Sequence, residues 1–208
     1  SVPLSPQFPF PEPRPYQKEA FNNWKASQKG LFAMATGTGK TLTSLNCLLQ
    51  IYNKFKFYQA LIFVPTITLV EQWEDECKRF NFSHIIKVSS KNQGWRSEID
   101  DIKLKESLAE SDESSLSFII ITTYASFSRE STFKQLMSLS KKIQRQMLLI
   151  ADEAHNIGAP NIMSKLDRVK ILRRIGLSAT PERQFDDKGN KAVMQFFGCD
   201  AQYTFEYS

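Results

Sequence analysis

Short apolar runs recur along the chain at Leu31–Ala35, Ala60–Val64, Ile85–Val88, Phe118–Ile121, Met147–Ala151 and Arg174–Leu177. Between most of them lie longer segments of helical character, Thr41–Tyr52, Leu69–Phe80, Trp95–Glu110 and Phe127–Leu139. Runs of Val, Ile, Leu and Phe without polar alternation suit strands buried on both faces. Strand, helix and strand in succession predict an α/β fold, a mainly parallel central sheet with helices on both faces. Upstream, Tyr16–Ala26 has helical spacing, with Tyr16, Ala20 and Trp24 four apart. Before that, six of the nine prolines fall within Pro3–Pro15. Proline lacks an N–H and fixes φ, so this stretch reads as an extended arm or linker. Ser111–Ser117 reads as a loop, and there is no internal repeat.

In such a sheet ligands bind beyond the carboxyl ends of the strands, so the chemistry should follow each apolar run. After the first comes Thr36-Gly37-Thr38-Gly39-Lys40-Thr41, then a helix. Glycines let the backbone curl until its N–H groups and the helix N-terminus point at phosphate oxygens. Lys40 is placed to reach the β- and γ-phosphates, and the Thr41 hydroxyl to ligate Mg²⁺. Met34 stands where the strict phosphate-loop pattern has glycine. After Met147–Ala151 comes Asp152-Glu153-Ala154-His155. An acid ending a buried strand downstream of a phosphate loop is the second half of a nucleotide-hydrolysing site. Asp152 would hold Mg²⁺, and Glu153 would orient and deprotonate the attacking water. After Arg174–Leu177, the hydroxyls of Ser178-Ala179-Thr180-Pro181-Glu182-Arg183 would by themselves read as turn formers.

GTGKT, DEAH and SATPER in this order resemble motifs I, II and III of the superfamily 2 helicases. Arg14-Pro15-Tyr16-Gln17 resembles their upstream adenine-recognition motif. Val64-Pro65-Thr66 with Leu69, Gln72 and Trp73 resembles motif Ia, and Thr122-Thr123-Tyr124 resembles motif Ib. Together the matches run from Arg14 to Arg183. RPYQ, MATGTGKT and LSATPER look most like the double-stranded-DNA group, which includes restriction-enzyme motor subunits and DNA-repair helicases. DEAD-box RNA helicases carry a longer glutamine motif and Asp where this chain has His155.

The resemblance implies a three-layer, RecA-like P-loop NTPase domain, the first motor lobe of an ATP-driven DNA helicase or translocase using ATP and Mg²⁺. It implies that Gln17 reads adenine with Arg14 and Tyr16 nearby. It further implies that Ser178 and Thr180 couple nucleotide state to lobe movement, and that His155 contacts that motif. Pro65, Thr66 and Thr123 would lie against the nucleic-acid backbone, in contacts that are blind to sequence. The implied partners are nucleic acid, duplex DNA first, a second RecA-like lobe, and nuclease or methyltransferase domains. An RNA helicase lobe and a nucleotide-gated clamp that does not translocate are the alternatives. For Trp73 and Trp95, packing in the core is the expectation, ahead of base stacking.

Composition narrows this only a little. The 208 residues, 41% hydrophobic and 24% charged, suit a globular domain. The net charge of +5 suits a nucleic-acid partner without requiring one. Arg129–Arg145 and Lys165–Arg174 each carry five bases against one acid, whereas Arg96–Ser117 carries seven acids against three bases. The basic runs read either as solvated helix faces or as one basic edge. The acidic one reads as a family-specific insertion between motifs Ia and Ib, with no role assigned. Cys47, Cys77 and Cys199 are far apart and outside any CxxC pattern, so no zinc site is expected and the compartment should be a reducing, cytoplasmic one. No apolar run approaches membrane-helix length.

The boundaries expected are an arm at 1–13, the ATP-binding lobe at 14–190, and at 191–208 the start of a connection to an absent second lobe. Nothing after Arg183 resembles that lobe's arginine finger. The chain, which starts at Ser1, is therefore expected to be part of a longer protein, to bind ATP·Mg weakly and to hydrolyse it barely.

Overall fold

Six strands lie where the apolar runs predict them, and a seventh joins them from a stretch that was expected to leave the domain. The computed structural model describes residues 4–35, 39–108, 116–179, 188–199 and 203–207, without the side chains of 188–190. The strands are β1 (Lys29–Met34), β2 (Gln59–Val64), β3 (Ile85–Val88), β4 (Phe118–Thr123), β5 (Leu148–Ala151), β6 (Arg173–Ser178) and β7 (Phe205–Tyr207). They form one sheet in the order β3-β4-β2-β5-β6-β1-β7, every neighbouring pair parallel.

Because successive strand side chains point to opposite faces, each apolar run feeds two cores. Ile119 and Ile121 join Ala20, Leu48, Val70 and Trp73 on one side. These come from α1 (Pro15–Trp24), α2 (Lys40–Phe55) and α3 (Ile67–Arg79). Phe118 and Ile120 join Ile99, Leu136 and Ile162 on the other. Those come from α4 (Trp95–Leu108), α6 (Glu130–Leu136) and α8 (Pro160–Leu166). The three layers of the expected α/β fold are therefore present. At about 1.5–3 kcal/mol for each large apolar side chain removed from water, these cores dominate the stability.

What the sequence suggested was one helix over 127–139 is broken after Phe127 and restarts as α6 at Glu130, and the flanking helices begin at hydroxyl caps. Thr123 Oγ1 accepts from the Ser126 N–H and starts α5 (Tyr124–Phe127), and Ser140 Oγ accepts from the Ile143 N–H and starts α7 (Lys141–Gln146). Thr123 is thus both the end of β4 and a helix cap.

Both outer segments differ from expectation. The Gln7 N–H donates to the Phe80 carbonyl at 2.9 Å, and the Phe8 ring meets Phe80 edge-on at 5.4 Å. The described part of the proline-rich arm is thereby laid across the lobe rather than projecting from it. At the other end, α9 (Lys188–Phe196) and β7 lie in the stretch assigned mainly to a connection. Phe205 and Tyr207 pair in register with Phe32 and Met34 of β1. Val193 and Phe197 are buried in the core. The expected division at residue 190 therefore falls inside a folded unit, because these apolar side chains are needed to cover β1 and β6.

Gly176 shows how tightly that corner is packed. A Cβ there would lie 2.6 Å from Leu31 Cδ1 and 2.8 Å from Phe197 Cε2. Overpacking of this kind costs about 1–3 kcal/mol. Gly176→Ala should lower Tm by roughly 2–4 °C for each kcal/mol lost in a chain this size, measured by thermal unfolding. An unchanged Tm would mean that Leu31 and Phe197 do not close over Gly176 as described.

All three cysteines are free and buried, and burial raises the thiol pKa of Cys47 and Cys77. Among the described residues no helix is long and apolar enough to cross a membrane, and no cluster of His, Cys, Asp and Glu can hold a metal ion unaided.

Candidate active site

The carboxyl ends of β1 and β5 bring Lys40, Asp152 and Glu153 together across more than a hundred residues of sequence. Gly39 opens α2 in the left-handed region at φ 81°, and its carbonyl accepts from the Thr43 N–H and hydroxyl. Such a φ favours glycine, and a Cβ here would also come within 3.2 Å of Tyr16 Oη. Thr36, Gly37 and Thr38 lie outside the described residues.

From the first turn of α2, Lys40 Nζ lies 3.1 Å from Asp152 Oδ1 and 3.3 Å from Glu153 Oε1. Burial opposes the ammonium charge, but the two carboxylates outweigh it, and the Lys40 pKa is raised. The lysine that was expected to meet phosphate therefore sits on the acids that were expected to hold Mg²⁺ and water. This arrangement fits the pair of ligands proposed from sequence. A carboxylate site that already accommodates one cation suits another, and the phosphates of a nucleotide suit the displaced ammonium. Thr41 and Asp152 both line the cleft of about 540 Å³ between α2 and α3. One carboxylate and one hydroxyl are few ligands, which matches a metal that completes its shell with water and substrate phosphate.

Glu153 has a left-handed backbone at φ 48°, ψ 61°, uncommon for a residue with a side chain. Strain of this kind costs about 1–3 kcal/mol and persists where the surroundings impose it. Here the Glu153 N–H donates to Asp152 Oδ1 at 3.0 Å, and the buried Tyr124 hydroxyl donates to the Asp152 carbonyl at 2.6 Å. The turn aims Glu153 back towards Lys40 and leaves it only partly buried.

A second cleft, about 420 Å³, adjoins the first at Gly39 and Leu42. Arg14, Tyr16 and Gln17 line it as the sequence suggested, but so do Phe8, Phe10 and Glu12 of the arm. Gln17 is buried at 2% exposure, and its Oε1 accepts from the Arg14 N–H at 2.9 Å, which fixes the side chain. Tyr16 stacks on Tyr207 of β7 at 4.1 Å. Two aromatic rings within a proline-rich stretch were the available sign that the arm does more than link. Each cleft lies in the range of small-ligand sites.

The remaining predicted residues separate. The 3-10 turn Ala154–Gly158 carries His155 and packs against β6, the strand that ends at buried Ser178. His155 Nδ1 is enclosed, has no hydrogen-bond partner among the described residues, and lies 3.8 Å from Glu153 Oε2. Thr180 lies outside the described residues. Pro65 is half-buried at the end of β2, and Thr66 is exposed as the N-cap of α3, accepting from the Leu69 N–H. Thr123 is only 5% exposed, with Oγ1 occupied as a cap acceptor, so its side chain is less open to a phosphate than that of Thr66. The basic run 165–174 divides too. Arg173 and Arg174 are half-buried, donating to the carbonyls of Gln146, Ile171 and Phe196, and burial lowers both pKa values. Arg168 and Lys165 pair with Glu130. These are largely structural roles. Trp73 and Trp95 are buried at 2% and 5% exposure, as expected of packing residues.

The family model described as type III restriction enzyme, res subunit, matches residues 10–183. The DNA 3'-5' translocase XPB2 of Sulfurisphaera tokodaii is 28% identical over 181 residues, covering 84% of this chain and 34% of its own length. The chain spans about a third or less of the curated relatives it matches, at 34%, 32% and 24%. Among solved structures, the SWI2/SNF2 ATPase core of Sulfolobus solfataricus in complex with dsDNA aligns with a TM-score of 0.64 at 22% identity, over 95% of this chain and 38% of that one. The Hef helicase domain of Pyrococcus furiosus aligns with a TM-score of 0.67 at 18% identity, over 99% of this chain and 40% of that one.

Proposed function

The chain belongs to the family of the type III restriction enzyme res subunit, and we propose that it is the ATP-hydrolysing first lobe of a motor acting on duplex DNA. By its family match and its fold it is a first RecA-like motor lobe of the superfamily 2 helicases. The observation that carries the ATP-hydrolysing reading is the pairing of Lys40 with Asp152 and Glu153 at 3.1 and 3.3 Å, in a cleft that adjoins the one lined by Tyr16 and Gln17.

In this reading the adenine enters the cleft of Tyr16 and Gln17, under the arm carrying Phe8 and Phe10. The phosphates run past Gly39 into the second cleft, where Lys40 leaves the two acids and meets phosphate oxygen. Thr41 and Asp152 would hold Mg²⁺, which would offset the negative charge that develops on the phosphates. Glu153, released from Lys40, takes a proton from the attacking water. Ser178 and the segment carrying His155 lie next to this chemistry and pass nucleotide state to a second lobe. Pro65 and Thr66 at the exposed end of β2 meet the DNA backbone without regard to sequence. The choice of duplex DNA draws on what the relatives' names state of those proteins, a DNA translocase and an ATPase core with dsDNA.

The test is ATP hydrolysis by a polypeptide carrying this lobe together with a second one, with duplex DNA, single-stranded DNA or RNA added. Duplex DNA should stimulate hydrolysis tenfold or more, and a triplex-forming strand on that duplex should be displaced. Stimulation by RNA alone would overturn the DNA reading. Stimulation without displacement would make the protein a clamp.

A further inference from the structure

Asp152 is held from a direction that the helicase motifs, taken singly, do not reveal. The indole Nε1–H of Trp73, on α3, donates to Asp152 Oδ2 at 3.1 Å in a fully buried setting. Trp73 is 2% exposed and Asp152 3% exposed. The other carboxylate oxygen, Oδ1, takes the Glu153 N–H at 3.0 Å and faces Lys40 Nζ at 3.1 Å. The two oxygens thus have separate duties, one tied to the indole and one turned towards the cleft. The carbonyl of the same residue is tied to Tyr124, and its N–H donates to the Phe63 carbonyl. The carboxylate is thus held at both oxygens on a backbone that is itself tied at both ends.

We propose that Trp73 is a positioning residue for the metal site, whose indole N–H fixes the Asp152 carboxylate so that Oδ1 alone is presented. This rests on the reading of Asp152 as a Mg²⁺ ligand. The physical reason concerns the geometry of small hard cations. Mg²⁺ demands near-ideal octahedral geometry and takes one or two carboxylate contacts, whereas Ca²⁺ accepts a bidentate carboxylate in a looser shell. A carboxylate with one oxygen occupied by a buried donor offers a single oxygen in a set direction. Groups that orient a ligand in this way typically change metal affinity 10–100-fold when removed. A tryptophan at this place serves both demands. Its rings fill the core between α3 and the sheet, and its only polar atom meets the buried carboxylate of Asp152. The position also links two parts of the site, since Trp73 lies two helical turns along α3 from the cap residue Thr66.

The experiment compares the 208-residue chain with its Trp73→Phe variant, which keeps a packing ring and removes the donor. Binding of a fluorescent ATP analogue is titrated with Mg²⁺ and, separately, measured in EDTA. In Trp73→Phe the Mg²⁺ concentration for half-maximal enhancement should rise about tenfold. Metal-free binding should stay within twofold of the parent, and the preference for Mg²⁺ over Ca²⁺ should narrow. An unchanged Mg²⁺ titration, or equal losses with and without metal, overturns the proposal, the second result marking Trp73 as a packing residue only. A parent chain that gains nothing from Mg²⁺ overturns the reading of the site itself, and the proposal with it.

A second measurement needs no stable variant at Trp73. The Trp73 indole ¹H–¹⁵N resonance, assigned by elimination with Trp24→Phe and Trp95→Phe, should move when Mg²⁺ is added to the nucleotide complex. A resonance that Mg²⁺ does not move also overturns the proposal.

Discussion

Glu153→Gln should leave ATP·Mg bound and stop its hydrolysis. The substitution keeps the size of the side chain and its place on the strained turn at φ 48°, and removes the carboxylate that can accept a proton from water. General-base catalysis typically contributes about 10²–10⁴-fold, so turnover should fall by at least that range in a polypeptide carrying this lobe and a second one. Nucleotide affinity should hold or improve, because the variant no longer competes for Lys40, which lies 3.3 Å away. Phosphate release and equilibrium binding, measured side by side, check the two halves. Turnover within threefold of the parent would remove Glu153 as the residue that activates water.

Lys40→Met should weaken ATP binding and also destabilise the lobe, an effect which a lysine serving phosphate alone would not produce. This ammonium lies 3.1 Å from Asp152 Oδ1, and the Asp152 side chain is 4% exposed. Breaking a buried ion pair costs about 3–5 kcal/mol when neither partner reaches water. Here the Lys40 and Glu153 side chains are 21% and 27% exposed, so solvent screening reduces the expected loss to about 1–3 kcal/mol. Losing a charge-assisted contact worth about 1.5–3 kcal/mol should weaken ATP binding roughly 10–100-fold. Mg²⁺ distinguishes this cause from simple misfolding. With Lys40 gone the metal has no rival for Asp152 Oδ1, so Mg²⁺ should raise Tm more in the variant than in the parent. Equal Tm values for variant and parent in EDTA would show that the lysine does not rest on the acids.

Much of this site was legible along the chain, and the reason is local. Strands buried on both faces must be apolar throughout, so β2, β4 and β5 show as continuous runs, and in a parallel sheet the chemistry follows where each run stops. Lys40, Thr41, Asp152 and Glu153 are therefore found by position alone. Gly39 is found because a helix that begins at φ 81° calls for glycine. What escaped depends on contacts between distant segments. The proline-rich arm has no periodicity to show that Phe8 will rest on Phe80 and close a cleft. The three residues of β7 carry too little pattern to be told from a connection, and only pairing with β1 makes them a strand. Thr123 and Thr66 look equivalent as hydroxyls after strands, yet one is buried and the other exposed.

Trp73 marks the boundary between the two kinds of knowledge. Its helical spacing and size assign it to the core, and it is there. That its single N–H faces the carboxylate of Asp152 was decided by the packing of α3 against the end of β5, across residues that share no local signal. The parallel α/β order, and the placing of Lys40, Asp152 and Glu153 at strand ends, follow from short-range pattern and the chemistry of the residue type. The contact of Lys40 with both acids, the oxygen of Asp152 that faces the cleft, and the segments that wall the clefts emerge only when distant elements pack. Those outcomes depend on angstrom-scale distances between elements, which periodicity does not encode.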